Sequence, residues 1–142
     1  ILRHPMSSPS TDADTWDLSK ASFSYGVEER LRWNHPRGWG SYPIILQKYV
    51  KEMRIIRLEE AVRKMTSLPA QFLGLQDRGI IKEGMWADVV VFDPKKIACR
   101  ATYAHPTQYP DGIPYVIVNG QIAIDEGKRT EALSGQVLFH KG

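Results

Sequence analysis

Past Pro43 the chain settles into a helical rhythm. Ile44, Ile45, Tyr49 and Met53 recur at three-to-four spacing, and Leu46 and Val50 widen the stripe. One broad face is therefore apolar and the other polar, which predicts a helix from Pro43 to Met53. Pro43 suits its first turn, where a missing N–H would have no partner anyway. Leu58, Ala61, Val62 and Met65 mark a second amphipathic helix. Glu59-Glu60 stand in its first turn and Arg63-Lys64 in its last, the arrangement the helix dipole favours. A short third helix is expected from Leu68 to Leu73, capped by Ser67 and ended by Gly74.

From Gly79 onward the period changes. Val89-Val90-Val91-Phe92 is a β-branched and aromatic run stopped by Pro94, and it predicts a strand. Tyr115–Val118 and Gln121–Ile124 flank Asn119-Gly120, a pair that supplies the two positive φ angles of a type I′ hairpin turn. Asp125-Glu126-Gly127 is expected to close that hairpin, and Gln136–Phe139 to add a last strand. Between Ala98 and Pro114 three prolines and a glycine predict coil. The change of character divides the chain into residues 1–78 and 79–142.

Ahead of the helices the pattern is poorer. Ile1–Pro5 reads as a connection, and Met6–Thr11 as a short strand ending at Asp12. Asp14–Asn34 has no sustained period, apart from a single helical turn at Val27–Leu31. It carries Trp16, Phe23, Tyr25 and Trp33, aromatics that suit either a ligand-pocket wall or packing of the loop onto its own domain. His35–Pro43 reads as a glycine-rich loop holding Arg37.

Composition narrows the classes. Apolar residues at 42% and charged residues at 25% are those of an ordinary globular protein. The formal charge is +3, and the basic residues are scattered instead of forming the stripe that nucleic acid demands. No apolar run is long enough to span a bilayer, and Ile1–Pro5 has no signal-peptide core. The single cysteine, Cys99, excludes an internal disulfide and fits a reducing, cytoplasmic setting. It reads as a small half-buried residue and not as a nucleophile. The first residue is Ile, inside what reads as structure, so the expectation is a piece of a longer protein.

Two residues stand out chemically. Asp12, at the tip of the expected strand, is a carboxylate able to hold a metal or move a proton. Arg37 offers a planar fork that matches a carboxylate in bidentate fashion. Three stretches then supply a resemblance. Thr66-Ser67-Leu68-Pro69-Ala70-Gln71-Phe72-Leu73-Gly74-Leu75, Asp77-Arg78-Gly79-Ile80-Ile81-Lys82-Glu83-Gly84 and Ala87-Asp88-Val89-Val90-Val91-Phe92-Asp93-Pro94 resemble the closing segment of the amidohydrolase superfamily. His35-Pro36-Arg37-Gly38-Trp39-Gly40 and Tyr115-Val116-Ile117-Val118-Asn119-Gly120 are similar to the N-acyl-D-amino-acid deacylases within it.

That resemblance implies an α/β protein: the C-terminal end of a (β/α)₈ barrel, with its last strand and helices, followed by the C-terminal strands of a small β-sandwich. It implies a zinc-dependent enzyme that cleaves N-acyl-D-amino acids into a carboxylate and a D-amino acid. Met6–Thr11 would be the eighth barrel strand and Asp12 the catalytic carboxylate, with Asp12 also a candidate metal ligand. Arg37 would bind the substrate α-carboxylate. The four histidines, His4, His35, His105 and His140, form no His-x-His pair. A catalytic zinc needs about three protein ligands, so this chain alone is expected to bind none and to be inactive. The missing N-terminal barrel portion, or self-association, would cover its apolar faces. The alternatives are a non-catalytic interaction module, or one half of a split enzyme.

Overall fold

Pro36 starts the first helix, α1 (Arg37–Ile44). Its backbone is already helical at φ −59° and ψ −20°, as the pyrrolidine ring favours. Its carbonyl accepts from the N–H groups of Trp39 at 3.2 Å and Gly40 at 2.8 Å. The computed structural model describes residues 1–13 and 35–139. The Asp14–Asn34 loop, with Trp16, Phe23, Tyr25, Trp33 and the turn at Val27–Leu31, lies outside the described residues, as does His140.

The glycine-rich stretch is thus a helix and not the expected loop. Each glycine costs about 1 kcal/mol against alanine inside a helix, and tertiary contact explains why they are there. A Cβ on Gly40 would collide with the Cys99 Sγ, and one on Gly38 would stand 3.2 Å from the Ala13 Cβ. The bare backbone lets α1 approach both neighbours.

Pro43 also lies elsewhere than expected, inside α1 and not in its first turn. It donates no hydrogen bond, and its ring crowds the preceding turn. Directly after it, Ile45–Glu52 winds as a π-helix, whose bonds span five residues, and the Met53 N–H donates to the Lys48 carbonyl at 2.8 Å. The wider turn places residues four and five apart on one face. Ile45 and Leu46 are accordingly buried, with Tyr49 and Val50 packed beside them. The apolar stripe is the one the sequence predicts except at Met53, which is exposed; the winding is not.

Helix α2 (Leu58–Met65) has the expected span and charge order. Helix α3 (Ser67–Phe72) starts without a side-chain cap, because Thr66 precedes it and its hydroxyl donates back to the Val62 carbonyl at 2.8 Å. Gly74, at φ +68°, ends the helix as expected, and the Leu75 N–H reaches the Ala70 carbonyl at 2.9 Å.

Four antiparallel strands follow in the order β1-β2-β3-β4: β1 (Val89–Val91), β2 (Tyr115–Val118), β3 (Gln121–Asp125) and β4 (Lys128–Arg129). Asn119 (φ +48°) and Gly120 (φ +81°) make the predicted turn. Glu126 and Gly127 repeat its geometry at φ +46° and +78°, so the chain makes a second hairpin into β4 where the expectation was an end. Gln136–Phe139 and Met6–Thr11 form no strand. A strand exists only through a paired neighbour, and among the described residues neither segment has one.

Among the described residues the chain is therefore mixed α/β with one antiparallel sheet. Its core, Ile45, Leu46, Ile56, Ala61 and Ile97, draws in Phe92 and Ile113 from beyond the helices. Arg78 makes the second tie. Its side chain, 11% exposed, pairs with Asp88, donates to the Asn119 Oδ1 at 3.0 Å and lies 5.2 Å from the centre of the Trp86 ring. Among the described residues no helix is long and apolar enough to cross a membrane.

The contact at Gly40 sets up an exchange of volumes. Gly40→Ala is expected to cost about 1–3 kcal/mol through overpacking. Adding Cys99→Ala should recover most of the loss, since the Cys99 Cβ itself would lie 4.0 Å from the new methyl. Urea unfolding of the protein carrying these residues measures both; equal stability of the single and double variants would contradict the steric account.

Candidate active site

Residues 1–13 hold no regular structure, yet they are pinned to α2 by its basic pair. Lys64 is 1% exposed. Its ammonium donates to the carbonyls of His4 and Ser7, to the Ser7 hydroxyl at 3.1 Å, and faces the Glu60 Oε1 at 3.4 Å. Arg63 donates to the Pro5 carbonyl at 2.6 Å, Ser8 Oγ to the Lys64 carbonyl at 2.9 Å, and Arg3 Nε to the Ile55 carbonyl at 3.3 Å. Glu60 accepts from Arg63 twice, at 2.8 and 2.9 Å. The Arg63 bonds, with the Lys64 ammonium adding to them, lower the Glu60 carboxyl from 4.5 to about 2, and Glu60 in turn raises Arg63.

That anchorage leads the chain to Asp12. The residue is left-handed, at φ +49°, a conformation Asp tolerates better than most, and its N–H donates to the Ser10 Oγ at 3.3 Å. The turn aims its carboxylate at the start of α1. There Arg37 Nη2 stands 2.7 Å from the Asp12 Oδ2 and 3.5 Å from its carbonyl oxygen. The Arg37 N–H donates to the His35 Nδ1 at 3.1 Å, which closes the helix start beneath the guanidinium. The structure brings the two sequence-selected residues together. Both remain open to solvent, Asp12 at 80% and Arg37 at 46% of the side chain.

The donor set around Asp12 does not by itself make a zinc site. Among the described residues no three His, Cys, Asp or Glu side chains converge, whereas a catalytic zinc takes about three protein ligands. His35 packs edge-on against Tyr103, with ring centres 5.2 Å apart. Cys99 is half-buried against Gly40, and its N–H donates to the Gln47 side chain at 2.8 Å. Asp12 could offer one oxygen.

On the far side of α1, Trp39, Tyr42 and Leu46 face β1 and β2 across a mostly apolar groove of about 830 Å³, which Val62 and Phe92 also line. Sequence reasoning missed the Lys64 anchor. The available signal was position: Lys64 lies one turn from Ala61, at the edge of the stripe that α2 buries.

The amidohydrolase family model matches residues 29–124. An N-acyl-D-glutamate deacylase of Alcaligenes xylosoxydans xylosoxydans is 52% identical over 86 residues, 61% of this chain and 18% of the relative. A D-aminoacylase of the same organism is 44% identical over 104 residues, 73% of this chain and 22% of the relative. The solved structure of N-acyl-D-glutamate deacylase from Bordetella bronchiseptica, complexed with zinc and a phosphonate mimic of the tetrahedral intermediate, superimposes with a TM-score of 0.62 at 45% identity. That match covers 71% of this chain and 22% of the other. The chain thus spans about a fifth of the length of the relatives it matches.

The anchor of residues 1–13 should respond to acid. Because folding depresses the Glu60 pKa, its contribution is complete above pH 4.5 and is lost as pH falls toward about 2. Amide protection factors in residues 1–13, taken against the intrinsic rate at each pH, are expected to fall across that window, and Glu60→Gln to flatten the response. Lys64→Ala, which leaves the part-buried His4 and Ser7 carbonyls without their shared donor, should cost about 1–3 kcal/mol. Protection factors that do not change between pH 4.5 and 2 would contradict the anchor.

Proposed function

The chain belongs to the amidohydrolase family, and on that premise we propose that it is the C-terminal portion of a zinc-dependent hydrolase. That enzyme would convert N-acyl-D-amino acids into a carboxylate and a D-amino acid. The carrying observation is the meeting of Asp12 with Arg37 at 2.7 Å. Identities of 52% and 44% to deacylases of D-amino acids support the substrate class.

In this reading Arg37 holds the substrate α-carboxylate through its planar fork. The amide nitrogen, one carbon away from that carboxylate, then lies within reach of Asp12. Asp12 takes up the proton released when water adds to the acyl carbon, and passes it to the departing amine nitrogen. Zinc belongs to the intact enzyme, and of the described residues Asp12 could offer it one oxygen. The described residues do not complete its site.

The helices Arg37–Phe72 would be the last barrel helices, residues 1–78 the end of the barrel, and 79–142 the C-terminal share of a small β-sandwich. Asp12 would stand at a strand mouth, where barrel catalytic groups gather, once residues 6–11, which form no strand here, gain a neighbouring barrel strand to pair with. A cytoplasmic setting belongs to the same proposal, supported by the lone free cysteine. A partner bearing the remaining barrel strands, in the same chain or another, would cover the apolar groove.

Two measurements test the proposal. In the intact enzyme, Asp12→Asn should lower kcat by about 10²–10⁴-fold. Arg37→Ala should instead raise KM by about tenfold or more for N-acetyl-D-glutamate. Loss of neither parameter would remove Asp12 and Arg37 from the site. Residues 1–142 purified alone are expected to show neither stoichiometric zinc nor turnover; both together would show that the chain is sufficient.

A further inference from the structure

We infer that Asp12 is a built-in competitor for Arg37. Without ligand, its carboxylate occupies the guanidinium edge that a substrate carboxylate must take, so binding proceeds as an exchange that frees Asp12. This rests on the reading of Arg37 as the carboxylate grip.

The contact is built from the backbone outward. Arg37 Nη2 meets Asp12 twice, at the carboxylate (2.7 Å) and at the carbonyl oxygen (3.5 Å), so one residue engages that edge with two acceptors. Asp12 takes a left-handed turn to reach it, with its N–H held by Ser10. The following residue abuts the helix, where only the absent side chain of Gly38 leaves room for the Ala13 methyl.

The pair is also suited to exchange. Both side chains are largely in solvent, where one ion pair is weak and screened, so an incoming carboxylate binding two donors displaces it at little cost. The guanidinium stays charge-balanced before and after. An arriving carboxylate raises the freed fraction of Asp12 by up to about fivefold, which favours substrates that carry the correct end.

The test uses the intact zinc-loaded enzyme and glutarate, a dicarboxylate with no scissile bond, with glutaramide as the neutral comparator. Calorimetry gives Kd, and metal content is measured on every sample. Asp12→Asn and Asp12→Ser are expected to bind glutarate up to about fivefold more tightly, the weight of one exposed ion pair. Neither should gain affinity for glutaramide, and Arg37→Ala should lose glutarate binding by about tenfold or more. A wild-type crystal structure with glutarate should show Asp12 and Arg37 more than about 4 Å apart.

Should Arg37→Ala lose binding while neither Asp12 variant gains it, the exchange is overturned and the grip stands. Equal gains for glutarate and glutaramide would also overturn the exchange, since they signal general loosening. Unchanged glutarate binding in Arg37→Ala would overturn the grip itself, and the exchange with it.

Discussion

A buried ammonium organises the front of this molecule. Lys64 is almost wholly removed from water, a state that is costly for a charge unless oxygen atoms replace the lost solvent. Here the replacements come from His4, Ser7 and Glu60. Three of them are main-chain or hydroxyl oxygens of a segment with no ladder or helix of its own. The lysine's need for acceptors and the segment's need for donors are thus met by one contact. Arg63 repeats the arrangement at Pro5 while neutralising Glu60. The path of the chain to Asp12 follows from this anchorage.

The other half of the candidate site depends on missing atoms. Arg37 opens a helix whose glycines lie against Ala13 on one side and Cys99 on the other. Helix propensity alone disfavours them there, so close approach outweighs propensity. The same helix carries Pro43 in its interior and passes directly into π-winding, which turns Ile45 and Leu46 into the core together. One face of this continuous element faces Asp12 and another lines the apolar groove.

Legibility in the sequence followed the range of the cause. The extent of α2, the Gly74 stop and the Asn119-Gly120 hairpin were readable because each depends on residues within a turn of one another. The second hairpin at Glu126-Gly127 carried the same signal in weaker form, Glu standing where Asn or Asp is usual. The strands expected at Met6–Thr11 and Gln136–Phe139 were not formed, since pairing depends on a neighbour that local pattern does not reveal. The stretch around Arg37 reads as a loop because two glycines and two prolines near it weigh against a helix locally.

What the sequence determined by itself was chemistry and period: a carboxylate at Asp12 and a guanidinium at Arg37, the apolar stripes, and the turns that require positive φ. Only the tertiary structure decided that Arg37 begins a helix, that Lys64 is an internal anchor and not a surface charge, and that Asp12 and Arg37 touch. Those outcomes depend on contacts between segments far apart in the chain, where packing space and paired charges outweigh the preferences of any short stretch.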